Sequence, residues 1–175
     1  TIHLSPNDTC YASAGGAACN GAFQWDLFEA IGGANLPAAW DITTGSASIV
    51  VGVLDTGILA HPDLSGRTVP GYDMIADSFV GNDGNGRDAD PSDPGDWVAA
   101  NECYPGNGAS SSSWHGTHVS GTIGAATNNA SNIAGINWVS KILPVRVLGK
   151  CGGVTSDIMD GMTWSAGLSV PAVPT

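Results

Sequence analysis

The sequence predicts an α/β domain built in three layers around a central parallel sheet. One continuous run of β-branched and aliphatic residues, Ser48 to Leu54 (SIVVGVL), has the character of a strand buried on both faces, and Lys141 to Leu148 (KILPVRVL) is a second β-rich run. Stretches with helical spacing follow each of them, and strand–helix alternation is the pattern of a parallel sheet covered by helices. No internal repeat or coiled-coil heptad interrupts that reading.

The elements are justified in order along the chain. Residues 1–24 are small, polar and rich in turn formers, which predicts an N-terminal arm. Trp25 to Trp40 is moderately apolar and has room for one or two short helices. The first strand run ends in Asp55-Thr56-Gly57, placing a carboxylate at the carboxyl end of a strand, where open α/β sheets bind their ligands. The 80–113 segment is rich in Gly, Asn, Asp, Pro and Ser, too polar for a core and too long for an ordinary connection, so it reads as a functional or metal-ordered insertion. His115 to Ala126 sets Val119 and Ile123 at i, i+4 among small residues, a helix packed against close neighbours. After the second strand run, Ser156 is placed to cap a helix through Ile158, Met159 and Met162 to Trp164.

Composition excludes several classes of function. The 175 residues fit one domain, and 42% hydrophobic residues with only 12% charged suit a packed core. Five Lys and Arg against 16 carboxylates give a net charge of −11, which disfavours a nucleic-acid partner. No apolar run approaches the roughly 18 residues that span a bilayer, so no membrane partner is expected. Half of the carboxylates lie between Asp73 and Glu102, a density of like charge that solvent or a cation must relieve. Cys10, Cys19, Cys103 and Cys151 form no CxxC pair and have no His at zinc spacing, which points to disulfides and an oxidising compartment. Three pairings are open; Cys10 with Cys19 closes a short Gly/Ala-rich loop and leaves Cys103 for Cys151.

Two segments carry chemistry together: Val53-Leu54-Asp55-Thr56-Gly57 at a strand end and His115-Gly116-Thr117-His118-Val119-Ser120-Gly121-Thr122 opening a helix. An aspartic protease needs two Asp-Thr-Gly-like motifs sharing a proton, and one is present. A zinc hydrolase of the HExxH type needs His at i, i+4 with a Glu, whereas His115 and His118 stand at i, i+3. In this order and context the two segments resemble the subtilisin-like serine peptidases, close to the secreted bacterial, thermitase-like members. The match continues through His61-Pro62-Asp63-Leu64, Thr127-Asn128-Asn129, Ile133-Ala134-Gly135-Ile136 and Val145-Arg146-Val147-Leu148. The physical reading agrees. A serine hydroxyl needs a neutral, oriented base, which His115 at the positive end of a helix suits, and a carboxylate to orient it, which Asp55 suits.

The resemblance implies a secreted serine endopeptidase that acts on protein or peptide substrates through a Ser-His-Asp triad, made as a zymogen whose signal and pro-segments are removed. It implies calcium, with Asp8, Asp63 and Asn129 as side-chain ligands and Ala126, Ser131 and Ile133 offering carbonyls, an all-oxygen set suited to a hard cation. A second calcium is expected in the acidic insertion from Asp73, Asp83, Arg87, Asp88, Asp90 and Asp96, where the sequence departs from the family pattern. Leu148 is expected to line the pocket beside the scissile residue, and Gly152, Gly153 and Val154 to pair with the peptide by β-augmentation. A Cys103–Cys151 bridge would fasten the insertion beside that groove.

The same resemblance makes this chain the N-terminal portion of one catalytic domain. No segment matches the family's Ser-Leu-Gly substrate strand, its oxyanion-hole asparagine or its Gly-Thr-Ser nucleophile. The expectation is therefore a nicked enzyme, cut within the Pro/Ser-rich 167–175 stretch, whose C-terminal fragment supplies the serine and covers exposed faces of both strand runs. Neither Ser120 nor Ser110–Ser113 is expected to act as nucleophile. The rival expectation is a non-catalytic, calcium-dependent protein-binding domain on the same fold.

Overall fold

The structure, a computed structural model, describes residues 3–12, 19–171 and 173. Part of the predicted arm, the middle of the Cys10–Cys19 loop, and Ala172, Pro174 and Thr175 of the expected nicking stretch lie outside the described residues. The fold is α/β in three layers. Its elements are α1 (Trp25–Phe28), α2 (Leu36–Trp40), β1 (Val50–Asp55), a 3₁₀ turn (Pro62–Leu64), β2 (Tyr72–Asp73), α3 (Ser78–Gly81), α4 (His115–Gly124), β3 (Lys141–Arg146) and α5 (Thr155–Ser165). The sheet order is β1-β3-β2, with β2 parallel to β3 in the register Tyr72↔Val145 and Asp73↔Arg146.

Pro144 explains why β2 is so short. Even-numbered residues of β3 face the β2 side: the Ile142 amide donates to the Arg67 carbonyl at 2.9 Å, and Met74 donates back to Arg146 at 2.9 Å. Pro144 belongs to that series but has no N–H, so the ladder fails between the Thr68–Ile142 bridge and Tyr72. Gly71 fills the gap, since a Cβ there would lie 2.0 Å from the Pro144 carbonyl oxygen.

The chain divides into two compact units. One comprises Thr1–Val51, Ala60–Thr68 and Ser120–Ile142. Its core gathers Tyr11, Leu27, Trp40 and Ala134 with Trp138 packed against them, and Trp40 meets Trp138 with ring centroids 5.1 Å apart. Gly124 of α4 lets Ile142 approach, at 3.1 Å from where a Cβ would stand. The other unit comprises Gly52–Leu59, Val69–Val119 and Leu143–Thr175. Its core gathers Tyr72, Met74, Val145, Val147, Val170 and Val173, with Ile158 and Trp164 of α5 packed on it. Gly161 of α5 sits over Val145 and Val147.

Three expectations need correction. The second strand run does not expose its faces: Ile142, Val145 and Val147 are all buried, because α4 and α5 supply their cover. The first run is less buried than predicted, since Ile49 and Val50 are exposed and only Val53 and Asp55 of β1 are fully buried. Ser156 does not cap α5. Val154 holds the N-cap position without a side-chain bond, and Asp157 in the first turn complements the helix dipole instead.

Candidate active site

β1 delivers Asp55 at its carboxyl end, where the residue is buried and its Oδ1 accepts the Thr56 amide at 2.7 Å. α4 begins at His115, whose Nδ1 lies 2.9 Å from Asp55 Oδ1 and 2.8 Å from Oδ2. A carboxylate only accepts, so Nδ1 carries the proton and Nε2 is left as an acceptor in the neutral ring. The His115 side chain is 62% exposed, so the imidazole is held on one edge and open to solvent elsewhere. That is the arrangement of an oriented general base.

Two glycines make this approach possible. A Cβ on Gly116 would lie 2.2 Å from the Gly57 carbonyl oxygen and 3.2 Å from Asp55 Cβ. Gly57 has φ +109°, and a Cβ there would stand 2.6 Å from the Pro91 carbonyl oxygen. Gly116→Ala is expected to destabilise the fold by about 1–3 kcal/mol, as overpacking does. It should also lower activity beyond the loss of folded protein, because the start of α4 must back away from Asp55. Thermal denaturation and turnover per folded molecule check both parts; an unchanged melting temperature would mean that the helix start is not packed as described.

The cleft beside His115 has a volume of about 670 Å3. Leu148, Gly149 and Gly152 line one part of it, and Val98, Tyr104 and Asn107 of the insertion line another. Gly149 and Gly152 exchange amide bonds of 2.8 and 3.1 Å across a tight turn, so Gly152 belongs to that turn and only Gly153 and Val154 run on toward α5. Val154 is exposed. The Cys103–Cys151 disulfide ties the insertion to this turn, and Cys10 is paired with Cys19. Lys150 adds a second tie: its Nζ lies 2.7 Å from a Glu102 carboxylate oxygen and 3.8 Å from the centre of the Trp97 ring.

The first predicted ligand set falls in one unit and is knit together. Asp8 accepts the Asn128 amide at 2.9 Å, and Asn129 Nδ2 donates to Asp63 Oδ1 at 3.1 Å. The Asn129 side-chain oxygen accepts the Ser131 amide, and the Ala126 amide donates to the Asp63 carbonyl. Ile133 is half-buried in the same loop. Asp63 Oδ2 is buried without a hydrogen-bond partner. The Asp8 carboxyl is pushed above its ordinary value, chiefly by burial and further by Asp63, against the amides of Asn128 and Asn129.

The second predicted set is only partly gathered: Asp83, Asp88 and Asp90 line one cavity of about 600 Å3 together with Asn82, Asn85 and Asp93. Arg146, 1% exposed, reaches both Asp73 and Asp83, with Asp83 Oδ2 at 2.7 Å, so a guanidinium already lies between those carboxylates. Arg146 also donates to the carbonyls of Gly81 and Thr56. Burial pushes the Asp73 carboxyl up to about 7, against the Ile75 amide and Arg146. The hydrogen bond to Asp83 adds to that rise. Arg87 turns to Asp157 and Asp160 of α5 at 2.6 and 2.7 Å. Asp88 and Asp90 accept loop amides two residues on, and Asp96 accepts from Ser113. Among the described residues, no three His, Cys, Asp or Glu side chains gather at a spacing that could hold a metal ion.

Sequence reasoning missed Asp93. It is 4% exposed, accepts the Thr56 hydroxyl at 2.7 Å and the Gly95 amide at 2.8 Å. The only local signal was its place between Pro91 and Pro94 in a run of otherwise solvated aspartates.

Comparison with known proteins gives the family. The subtilase family model matches residues 46–172. An extracellular protease of Xanthomonas campestris pv. campestris is 48% identical over 171 residues, covering 98% of this chain and 28% of that protein. An extracellular basic protease of Dichelobacter nodosus is 44% identical over 174 residues, covering 97% of this chain and 27% of that protein. Among solved structures, a protease from Pseudoalteromonas arctica PAMC 21717 matches with a TM-score of 0.89 and 54% identity, over 98% of this chain and 47% of that one. The chain thus spans little more than a quarter of the length of these two curated relatives. With Asp55 at a strand end and His115 at a helix start in hydrogen-bond contact, and the family's model matched across most of the sequence, the chain belongs to the subtilase family.

Proposed function

We propose that this chain supplies the aspartate and histidine of a secreted serine endopeptidase, with the serine nucleophile on a segment outside these 175 residues. The observation that carries the reading is the contact of His115 Nδ1 with both Asp55 oxygens while the rest of the ring stays open. His115 Nε2 takes the proton of the incoming serine as its oxygen attacks the peptide carbonyl, and the imidazolium then protonates the leaving amine. Asp55 holds the required tautomer and stabilises the imidazolium, without itself becoming protonated. The names of the Xanthomonas and Dichelobacter relatives support extracellular proteolysis. An extended protein segment is the substrate, laid in the cleft past Leu148 and along Gly153 and Val154, with Gly152 held in the turn before them.

Calcium fits the Asp8–Asp63 set. Two neighbouring carboxylates, one with a buried oxygen that no donor reaches, form a pocket of oxygen ligands in need of a cation. Asn129 would turn its amide oxygen to the ion, with carbonyls of Ala126, Ser131 and Ile133 completing the shell. Bound there, calcium cross-links the arm to the loop after α4 and supplies no step of the reaction. A second ion has less support: Asp83, Asp88 and Asp90 line one cavity, but Arg146 already meets Asp73 and Asp83, Arg87 is paired with Asp157 and Asp160, and Asp96 is bonded to Ser113.

The exposed apolar residues Ile49 and Val50, and separately Met159, Met162 and Leu168, support a partner segment that covers them, a C-terminal fragment retained after nicking. Treating the native sample with a fluorophosphonate and measuring intact masses tests the whole reading. The expected result is one adduct, on a co-purifying fragment or extension and never on Ser120 or Ser110–Ser113. A folded sample that forms no adduct would favour a calcium-dependent binding domain.

A further inference from the structure

The insertion holds the start of α4 by two matching relays. The first amides of a helix have no partner within it. Here the Gly116 amide donates to Thr56 Oγ1 at 3.0 Å, and Thr56 Oγ1 donates its only proton to Asp93 Oδ2 at 2.7 Å. The His115 amide donates to Ser113 Oγ at 3.3 Å, and Ser113 Oγ donates to Asp96 Oδ2 at 2.8 Å. In each relay a hydroxyl has one hydrogen, and committing it to a carboxylate turns a lone pair toward the helix amide. The two carboxylates stand three residues apart, on either side of Gly95.

We infer that Asp93 and Asp96 are positioning residues for the Asp55–His115 pair, acting through Thr56 and Ser113. Three further observations carry this. The Thr56 amide donates to Asp55 Oδ1 at 2.7 Å, so one residue references the carboxylate with its N–H and the helix with its hydroxyl. Asp93 is itself fixed: its amide donates to the Ile58 carbonyl at 3.2 Å, and its Oδ1 accepts the Gly95 amide at 2.8 Å. Trp114, between the two relays, has φ +52°, a left-handed conformation that a bulky side chain adopts only when its surroundings enforce it. Asp96 bonds both the amide and the hydroxyl of Ser113, the residue just before that strained position, with the amide contact at 2.6 Å.

This inference rests on the proteolytic reading for its kinetic consequence but not for its structural one, and the test separates the two. In the complete enzyme, Asp93→Ala and Thr56→Val should each lower kcat about 10- to 100-fold, per active site titrated, with KM changed less than about twofold. Combined, they should cost little more than either alone, because they break one relay. Thr56→Ser should restore kcat to within about threefold of the starting enzyme, since it keeps the hydroxyl. Asp96→Ala should act in the same direction and add to Asp93→Ala. Independently of activity, the proton on His115 Nδ1 should give a downfield NMR resonance that broadens or shifts in Asp93→Ala and is retained in Thr56→Ser. An unmoved resonance in folded Asp93→Ala would overturn the inference whatever the enzyme cleaves. So would an unchanged kcat per titrated site, because a merely structural role reduces the number of active molecules and leaves each as fast. If Asp93→Ala does not fold, Thr56→Val and Thr56→Ser decide alone: equal kcat and equal resonances in those two variants would sink it.

Discussion

Asp55→Asn in the complete enzyme should fold normally and turn over about four orders of magnitude more slowly. The expectation follows from the two contacts of Asp55 with His115 Nδ1, at 2.8 and 2.9 Å. An amide in that place can donate as well as accept, so the imidazole is free to carry its proton on Nε2 and present no base to the serine. The amide also removes the charge that stabilises the imidazolium. The fold should tolerate the change, since Asn keeps an oxygen for the Thr56 amide and its volume is nearly the same. Turnover measured per folded molecule, with circular dichroism to confirm the fold, checks it. A loss smaller than tenfold would show that the contact is not the orienting one. His115→Ala should fall at least as far, and combining the two should cost little more, because residues of a triad act as a unit.

How far the sequence anticipates this structure depends on whether a feature is local or assembled. The two strand runs, the helix opening at His115 and the paired Asp55 and His115 announce themselves through short motifs whose physical reason is contained in a few neighbouring residues. The three-layer fold follows from their alternation. The burial of Ile142, Val145 and Val147 could not be read in that way, because it depends on which helices return over β3 and on glycines such as Gly124 and Gly161 that let them close in. The ligands of a second calcium were not legible for a related reason. An Asp/Gly/Asn-rich run looks the same whether its charges surround a cation or are met by arginines, and here Arg146 and Arg87 come from β3 and from the loop itself. Asp93 stayed hidden among seven other carboxylates between Asp73 and Glu102 until Thr56 was seen beside it. Hydroxyl relays of that kind have no sequence signature, since any Ser or Thr can take part.

Chelation of calcium should cost the enzyme about 4 kcal/mol at saturating metal, which corresponds to a fall of roughly 10 °C in melting temperature for a domain of this size. The argument is electrostatic and carries its own control. Asp8 and Asp63 are both buried, and without a cation Asp63 adds to the cost of charging Asp8. Asp63→Asn keeps an oxygen to accept Asn129 Nδ2 but removes one of the two charges. In excess chelator it should therefore melt at or above the unmodified enzyme, while in calcium it should melt well below it. A purely packing role for Asp63 predicts the same loss in both conditions. The pH dependence has a definite sign. Burial holds the Asp8 carboxyl above its ordinary value, so over the range between its unfolded and folded values the folded chelated protein binds more protons than the unfolded chain. Its stability then falls as pH rises through that range, whereas bound calcium favours the charged form and removes the penalty. The melting curves with and without calcium should converge toward acid, where protons displace the metal, and separate as pH rises. A calcium increment that stayed constant from pH 4 to pH 7, or an Asp63→Asn variant equally responsive to chelator, would place the ion elsewhere.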